Sequence, residues 1–293
     1  MAEGARISVS TVVLDGQGFK RGLDLLVMAG ATSVEPAFIE GYMPFDDASF
    51  TEKAGLDLAR SLHNAGLGIC AMSVHIDLGQ ATSVEKLRRR LDFAAAAGAR
   101  IVISNATTSD RAAAFLDTVA AIQPDLAARD MILALENPGH GANALMPDGL
   151  RGAAVVASLG DPRIRMNYDI GNAQSYGVRA GSAAVDFEAA LPVTAHLHLK
   201  DLKSVGDDWL FCPLGQGDIG YGTTLDLSHL PSHLPVGIEH PIRLWRPGRG
   251  DPRRRTAVPD EATVIAAVRE ALACVTSALA IAEQQVRAHL DGP

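Results

Sequence analysis

The chain has 293 residues, enough for a large core, with 47% hydrophobic and 20% charged residues and a formal net charge of −8. This balance argues against a general nucleic-acid binder, because the phosphate backbone selects basic surfaces. The cysteines, Cys70, Cys212 and Cys274, are odd in number and far apart, with no CxxC or Cys/His zinc spacing, so neither a disulfide framework nor a structural zinc is expected.

Short apolar runs recur along the chain and read as strands: residues 7–13, 32–38, 67–76, 99–104, 131–136, 163–169, 194–200 and 234–240. The segments between them read as helices. In "TSVEKLRRRLDFAAAAGA", Thr82 and Glu85 suggest a capping box, Val84, Leu87, Leu91 and Ala95 form the apolar stripe, and Gly98 supplies a left-handed cap. In "SDRAAAFLDTVAAIQPDL", Phe115, Val119, Ile122 and Leu126 share a face, and Pro124 is expected to end or kink the helix. The last helix starts at Pro259-Asp260 and carries Val264, Val268, Leu272, Val275 and Leu279. The N-terminus lacks a basic region followed by an apolar one, and "ALACVTSALAIA" (271–282) is too short to span a bilayer. Neither a signal peptide nor membrane attachment is expected, and the compartment expected is the cytoplasm.

Eight alternating strand and helix units of roughly 30 residues match an α/β fold, a (β/α)8 TIM barrel, as one domain over 1–293. A doubly wound sheet is the alternative. "GQGDIG" (215–220) fits G-x-G-x-x-G literally but sits late in the chain, outside a first βαβ unit, and reads as a glycine-rich loop.

The chemistry lies where apolar strands end in polar residues, because the C-terminal ends of barrel strands build the active site. "ILALE" ends in Glu136, "RMNYD" in Asp169 and "VGIE" in Glu239, while "AHLHLKD" carries His196, His198 and Lys200 at period two. Carboxylate, carboxylate, imidazole and carboxylate on consecutive strands suit Mn²⁺, Mg²⁺ or Co²⁺, with Zn²⁺ also within the donor set's range. Without a cation, three buried carboxylates would repel one another. The six arginines of "RLWRPGRGDPRRR" follow the last strand. They read either as a solvated loop or as a grip on a substrate carboxylate or phosphate by Arg243 or Arg246, with Trp245 stacked on a sugar face.

"ALENPG", "NYDIGN", "HLHLKD" and "GIEH", in this order, resemble the xylose isomerase-like TIM barrel family, the sugar isomerase and ketose 3-epimerase group of the AP endonuclease family 2 superfamily. "VEPAF" and "SVHIDL" are similar to its second and third strands, so the resemblance spans nearly the whole chain. It implies metal ligands at Glu136, Asp169, His198 and Glu239, with Glu136 and Glu239 as the acid/base pair on opposite faces of the substrate. His75 and Asn172 fall where the family contacts substrate, and His196, Lys200 and Arg243 complete the expected substrate-binding set. Glu35 reads as a structural ion-pair partner or as a residue that helps position substrate, and His140 and His240 as rim residues.

The expected activity is a divalent-metal-dependent ketose isomerase or epimerase, working by proton abstraction through a metal-stabilised cis-enediolate on a small sugar or polyhydroxy acid. A dehydratase of the 3-dehydroshikimate type remains open. An endonuclease IV-like repair enzyme, which would need more histidines, and a non-catalytic sugar-binding barrel are more remote. A homo-oligomer is left open.

Overall fold

The computed structural model describes residues 6–39, 45–177, 183–221, 227 and 230–290. Its parallel strands are β1 (Ile7–Ser10), β2 (Ser33–Glu35), β3 (Gly68–Ile69), β4 (Ala71–Ser73), β5 (Ile101–Asn105), β6 (Ile132–Glu136), β7 (Ile164–Asp169) and β8 (Thr194–Leu199). A hairpin, β9 (Asp201–Val205) and β10 (Asp208–Cys212), precedes the last parallel strand, β11 (Val236–Ile238). The sheet order is β3-β2-β1-β11-β8-β7-β6-β5-β4. Strands β3 and β4 are one predicted stave interrupted at Cys70. The first half pairs with β2 and the second with β5. Hydrogen bonds from Phe38 N–H to the Ser73 carbonyl (2.7 Å) and from Ser73 N–H to the Pro36 carbonyl (3.0 Å) draw the sheet's two ends together. The chain is a TIM barrel.

Helices α1 (Phe19–Ala29), α2 (Glu52–Ala65), α3 (Ser83–Ala97), α4 (Ala112–Arg129), α5 (Gly149–Leu159), the single turn α6 (Ile170–Asn172), α7 (Ala183–Ala190) and α8 (Glu261–Leu290) fill the connections. Two local expectations are corrected. Thr82 precedes α3 but its side chain makes no capping bond; the Ser83 hydroxyl instead donates to the Asp77 carbonyl at 2.7 Å. Helix α4 runs through Pro124 to Arg129, so the proline does not end it: the missing N–H is tolerated within a helix anchored by buried Phe115, Val119, Ile122 and Leu126. Helix α8 is long and apolar enough over Glu261–Leu279 to cross a membrane by length and composition, unlike the shorter 271–282 stretch read from the sequence. Its buried Val264, Val268, Ala271, Val275 and Leu279 join the main core.

Period-two alternation explains why this barrel hosts a polar site. On β6, Leu133 and Leu135 pack into the large outer core with the helices, while Ala134 belongs to a small separate cluster with Ala71, Ile101 and Ile103. Glu136 continues the Ala134 parity. By the same alternation Ser10, Glu35, Ser73, Asn105, Asn167, Asp169, His196, His198 and Glu239 face the barrel axis. The interior is therefore apolar only at its floor and strongly polar toward its C-terminal end.

Strands β12 (Leu244–Arg246) and β13 (Arg253–Arg254) join the hairpin in an antiparallel sheet, β13-β12-β10-β9, beside the barrel mouth. No strand pattern in the sequence announces this sheet. The glycine-rich 215–220 loop folds around the buried Asp201 carboxylate, which accepts N–H bonds from Gly215 (2.9 Å) and Gly217 (3.0 Å). A Cβ at Gly217 would come within 2.1 Å of that carboxylate, so the loop is structural and its glycine is required there. Most of "YGTTLDL", which follows it, lies outside the described residues.

Candidate metal centre and active site

Strands β6, β7, β8 and β11 are adjacent in the barrel, and their ends bring Glu136, Asp169, His198 and Glu239 together. One ligand atom from each lies within 4.8 Å of the others, and all four residues are buried. His198 Nδ1 is 3.2 Å from Glu136 Oε2 and 3.8 Å from both Asp169 Oδ2 and Glu239 Oε2. Three carboxylates and one imidazole at this spacing form a donor set for a divalent cation.

The surrounding polar atoms orient this set. Asn167 donates from Nδ2 to Glu136 Oε2 at 2.7 Å, and the same nitrogen lies 3.1 Å from His198 Nδ1. Its Oδ1 faces His196 Nδ1 at 2.9 Å. Asn137, the second residue of "ENPG", clamps the end of β7. It donates to the Asp169 carbonyl (2.9 Å) and accepts from the Asp169 N–H (2.8 Å). Asn172 donates to Glu136 Oε1 at 3.1 Å and accepts from Lys200 Nζ at 3.1 Å. The glycines of these motifs allow the close approaches. A Cβ on Gly139 would sit 2.2 Å from Asn172 Oδ1, and one on Gly237 would sit 2.6 Å from Glu35 Oε2.

Glu35, expected to be an ion-pair partner, is fully buried and places both oxygens 3.0 Å from His198 Nε2. The Ser73 hydroxyl donates to it at 2.8 Å. Burial opposes its ionisation, but the charge and hydrogen bond of His198 outweigh burial and hold it down at about 2. An anion on Nε2 fixes the proton there and leaves Nδ1 as the nitrogen for a cation. Glu35→Gln is therefore expected to weaken divalent-metal binding about 10–100-fold without loss of fold. Unchanged affinity in a chelator competition would refute this orienting role.

Electrostatics support a cation. Asp169 Oδ2 and Glu239 Oε2 are buried without a well-directed hydrogen bond. The cation they meet is the Lys200 ammonium, 2.7 Å from Asp169 and in close contact with Glu239. Burial and repulsion from Glu239 and Glu136 push Asp169 up to about 7, against the pull of Lys200. Burial also opposes ionisation of Glu136, yet the charges of His198 and His75 hold it well below the usual carboxylate range. Carboxylates raise His198 well above its ordinary value against the opposing effect of burial. With His198 Nδ1 serving as a neutral donor, Lys200 stands alone among the described residues against three carboxylates, so the residues present fit a divalent ion.

A cavity of about 560 Å³ opens above these groups, lined among others by His75, Asn105, Glu136, His140, Asn172, Lys200 and Glu239. His75 Nε2 is 3.6 Å from Glu136 Oε2 and lacks a hydrogen-bond partner. Glu136, Glu239, His75, Asn172 and Lys200 thus share one space.

Five of the expected residues stand away from the cavity wall. His196 is fully buried and is not part of the cavity wall; it packs between Asn167 and Glu35, and burial pushes it down to about 4. Arg243 is turned away from the cavity. Its guanidinium serves the Ala257 carbonyl (3.1 Å), the Arg255 carbonyl (2.8 Å) and Asp15 (3.3 Å), which ties the arginine segment to the turn after β1. Arg246 is buried against the Tyr176 ring, with Cζ 3.4 Å from its centroid. Trp245 pairs with Leu210 in the small sheet and does not face the cavity. Of the six arginines, Arg254 reaches the cavity wall, where it also bonds Asp15 at 2.7 Å. His140 lines the rim as expected, whereas His240 is buried outside the wall. The sequence reading overlooked Asn167 and Asn105, although period two already put Asn167 on the face of Asp169.

The family model for the xylose isomerase-like TIM barrel matches residues 23–273. No curated protein matches the chain in sequence. Among solved structures, an L-ribulose 3-epimerase is similar at 16% identity, with a TM-score of 0.65 over 97% of each chain. A probable 3-DHS dehydratase from Bacillus anthracis is similar at 15% identity and a TM-score of 0.63, over 90% of this chain and 97% of that one. The IOLI protein, solved with a zinc atom, is similar at 14% identity and a TM-score of 0.64, over 94% and 98%. At such identities these likenesses establish the fold alone. The family match over most of the chain goes further: this protein belongs to the xylose isomerase-like TIM barrel family.

Proposed function

We propose that this protein is a divalent-metal-dependent isomerase or epimerase of ketoses. The observation that carries the proposal is the placement of Glu136 and Glu239. They end β6 and β11, with β7 and β8 between them, and both line the same cavity. Carboxylates on separated strands can reach a bound substrate from different sides. One takes the proton from the carbon next to the carbonyl. The other returns a proton, to the opposite face for epimerisation or to the neighbouring carbon for isomerisation, and solvent restores the starting protonation. A divalent cation held by Glu136, Asp169, His198 and Glu239 would supply Lewis-acid polarisation of the substrate oxygens. The Lys200 ammonium and His75 stand beside the negative charge that develops on those oxygens. The amides of Asn167 and Asn172 hold Glu136 in one orientation.

The metal's identity, with Mn²⁺, Mg²⁺, Co²⁺ and Zn²⁺ all within the donor set's range, belongs to the same proposal. So do a neutral small-molecule substrate and a cytoplasmic setting. The names of the epimerase and dehydratase neighbours support both chemistries. Incubating metal-loaded protein with ketopentoses, ketohexoses and, separately, 3-dehydroshikimate tests the choice. A new epimer or aldose is expected. Dehydration of 3-dehydroshikimate with inert ketoses would make the protein a lyase instead.

A further inference from the structure

Beside the main cavity lies a second chamber of about 220 Å³, sharing Asp77, Asn105, Glu136 and His140 with it. The two spaces therefore meet at the catalytic floor. The walls of the side chamber are the loops after β5 and β6, and the backbone holds them together. Leu145 N–H donates to the Thr107 carbonyl and Ser109 N–H to the Asn143 carbonyl, each at 2.8 Å. A third loop presses on them at Gly79, where a Cβ would lie 2.3 Å from Thr107 Oγ1. This is a built recess.

Its chemistry selects what could enter. Among the described residues, Asp77 and Arg111 are its charged side chains apart from the shared Glu136, and they pair with each other. The pair leaves no surplus positive charge for a phosphate or carboxylate. Asn105, at the boundary of the two spaces, has a buried Oδ1 that accepts no hydrogen bond. A buried unpaired acceptor calls for an O–H or N–H donor, which a sugar hydroxyl provides. Pro138, Ala142, Ala144 and Met146 add an apolar surface suited to the C–H face of a ring.

We propose that the side chamber is a second sugar subsite, so that the preferred substrate is a ketose bearing a neutral glycosyl substituent. The reacting unit lies over Glu136 and Glu239, and the substituent occupies the side chamber with a hydroxyl on Asn105 Oδ1. For the reacting unit alone, this inference rests on the ketose chemistry proposed above.

The test is calorimetric titration of the metal-loaded full chain with fructose, fructose 6-phosphate and three glycosyl-fructoses of different linkage: turanose, lactulose and isomaltulose. At least one disaccharide is expected to bind about 10-fold or more tightly than fructose, which corresponds to about 1.4 kcal/mol. Ala142→Trp, at an exposed edge of the recess, is expected to erase that advantage and leave fructose binding within about twofold. Ala144→Leu gives a second, milder filling of the same space. No disaccharide advantage, an equal loss for fructose and disaccharide in both variants, or preference for fructose 6-phosphate would each overturn the subsite. A persisting disaccharide preference with no ketose turnover would instead remove the proposed reaction and leave the subsite standing.

Discussion

Replacing His198 with asparagine is expected to weaken divalent-metal binding by more than about 100-fold, since even groups behind a ligand are worth about 10–100-fold. His198 offers the one nitrogen of the candidate cluster and faces all three carboxylates. Buried Glu35 keeps the Ser73 hydroxyl at 2.8 Å and His196 at 3.4 Å, so its carboxylate retains polar partners in this variant. The fold should therefore survive in the asparagine variant, and metal analysis after dialysis reads the loss. A full equivalent of bound metal would remove His198 from the ligand set.

The same site predicts a pH dependence in the wild type. Asp169 is pushed up to about 7 and His198 is raised well above its ordinary value, so the metal-free protein holds protons that a cation must displace. Binding is tightest above pH 7 and weakens as pH falls. Each displaced proton contributes about 10-fold per pH unit.

The second large effect concerns the glutamates. Glu136→Gln and Glu239→Gln are each expected to lower kcat by about 10²–10⁴-fold, the range lost when a positioned acid or base is removed. The two variants differ structurally. The change at Glu136 would turn an NH₂ group toward the Asn167 or Asn172 amide donor and so lose a hydrogen bond as well as a charge. The change at Glu239 removes a partner of Lys200. In an epimerase each face of the substrate has its own proton carrier. Either variant should then still exchange solvent deuterium from one epimer while failing to invert it. Wild-type kcat in both variants would refute the assignment.

The barrel was legible in the sequence because alternation at period two and helical stripes are local signals. The cluster able to hold a cation was legible because apolar strands run into Glu136, Asp169 and Glu239. What stayed hidden depends on distant partners. Glu35 meets His198 across 163 positions, and Arg243 meets Asp15 across 228, so the arginine segment looked like an anion grip when it is a tether. The small sheet was missed because β9 and β10 turn at Gly206, in a left-handed conformation, within a polar stretch lacking strand alternation. His196 shares its strand face with His198 but lies deeper, and position along the barrel axis is not a sequence signal.

The most direct measurement is turnover of a ketose by the metal-loaded wild type in heavy water, followed by NMR or mass analysis of the product. One solvent deuterium is expected at the carbon that changes, because Glu136 and Glu239 exchange protons with water between turnovers. Full retention of the substrate's own hydrogen at that carbon would contradict proton transfer through the glutamates and point to a hydride shift.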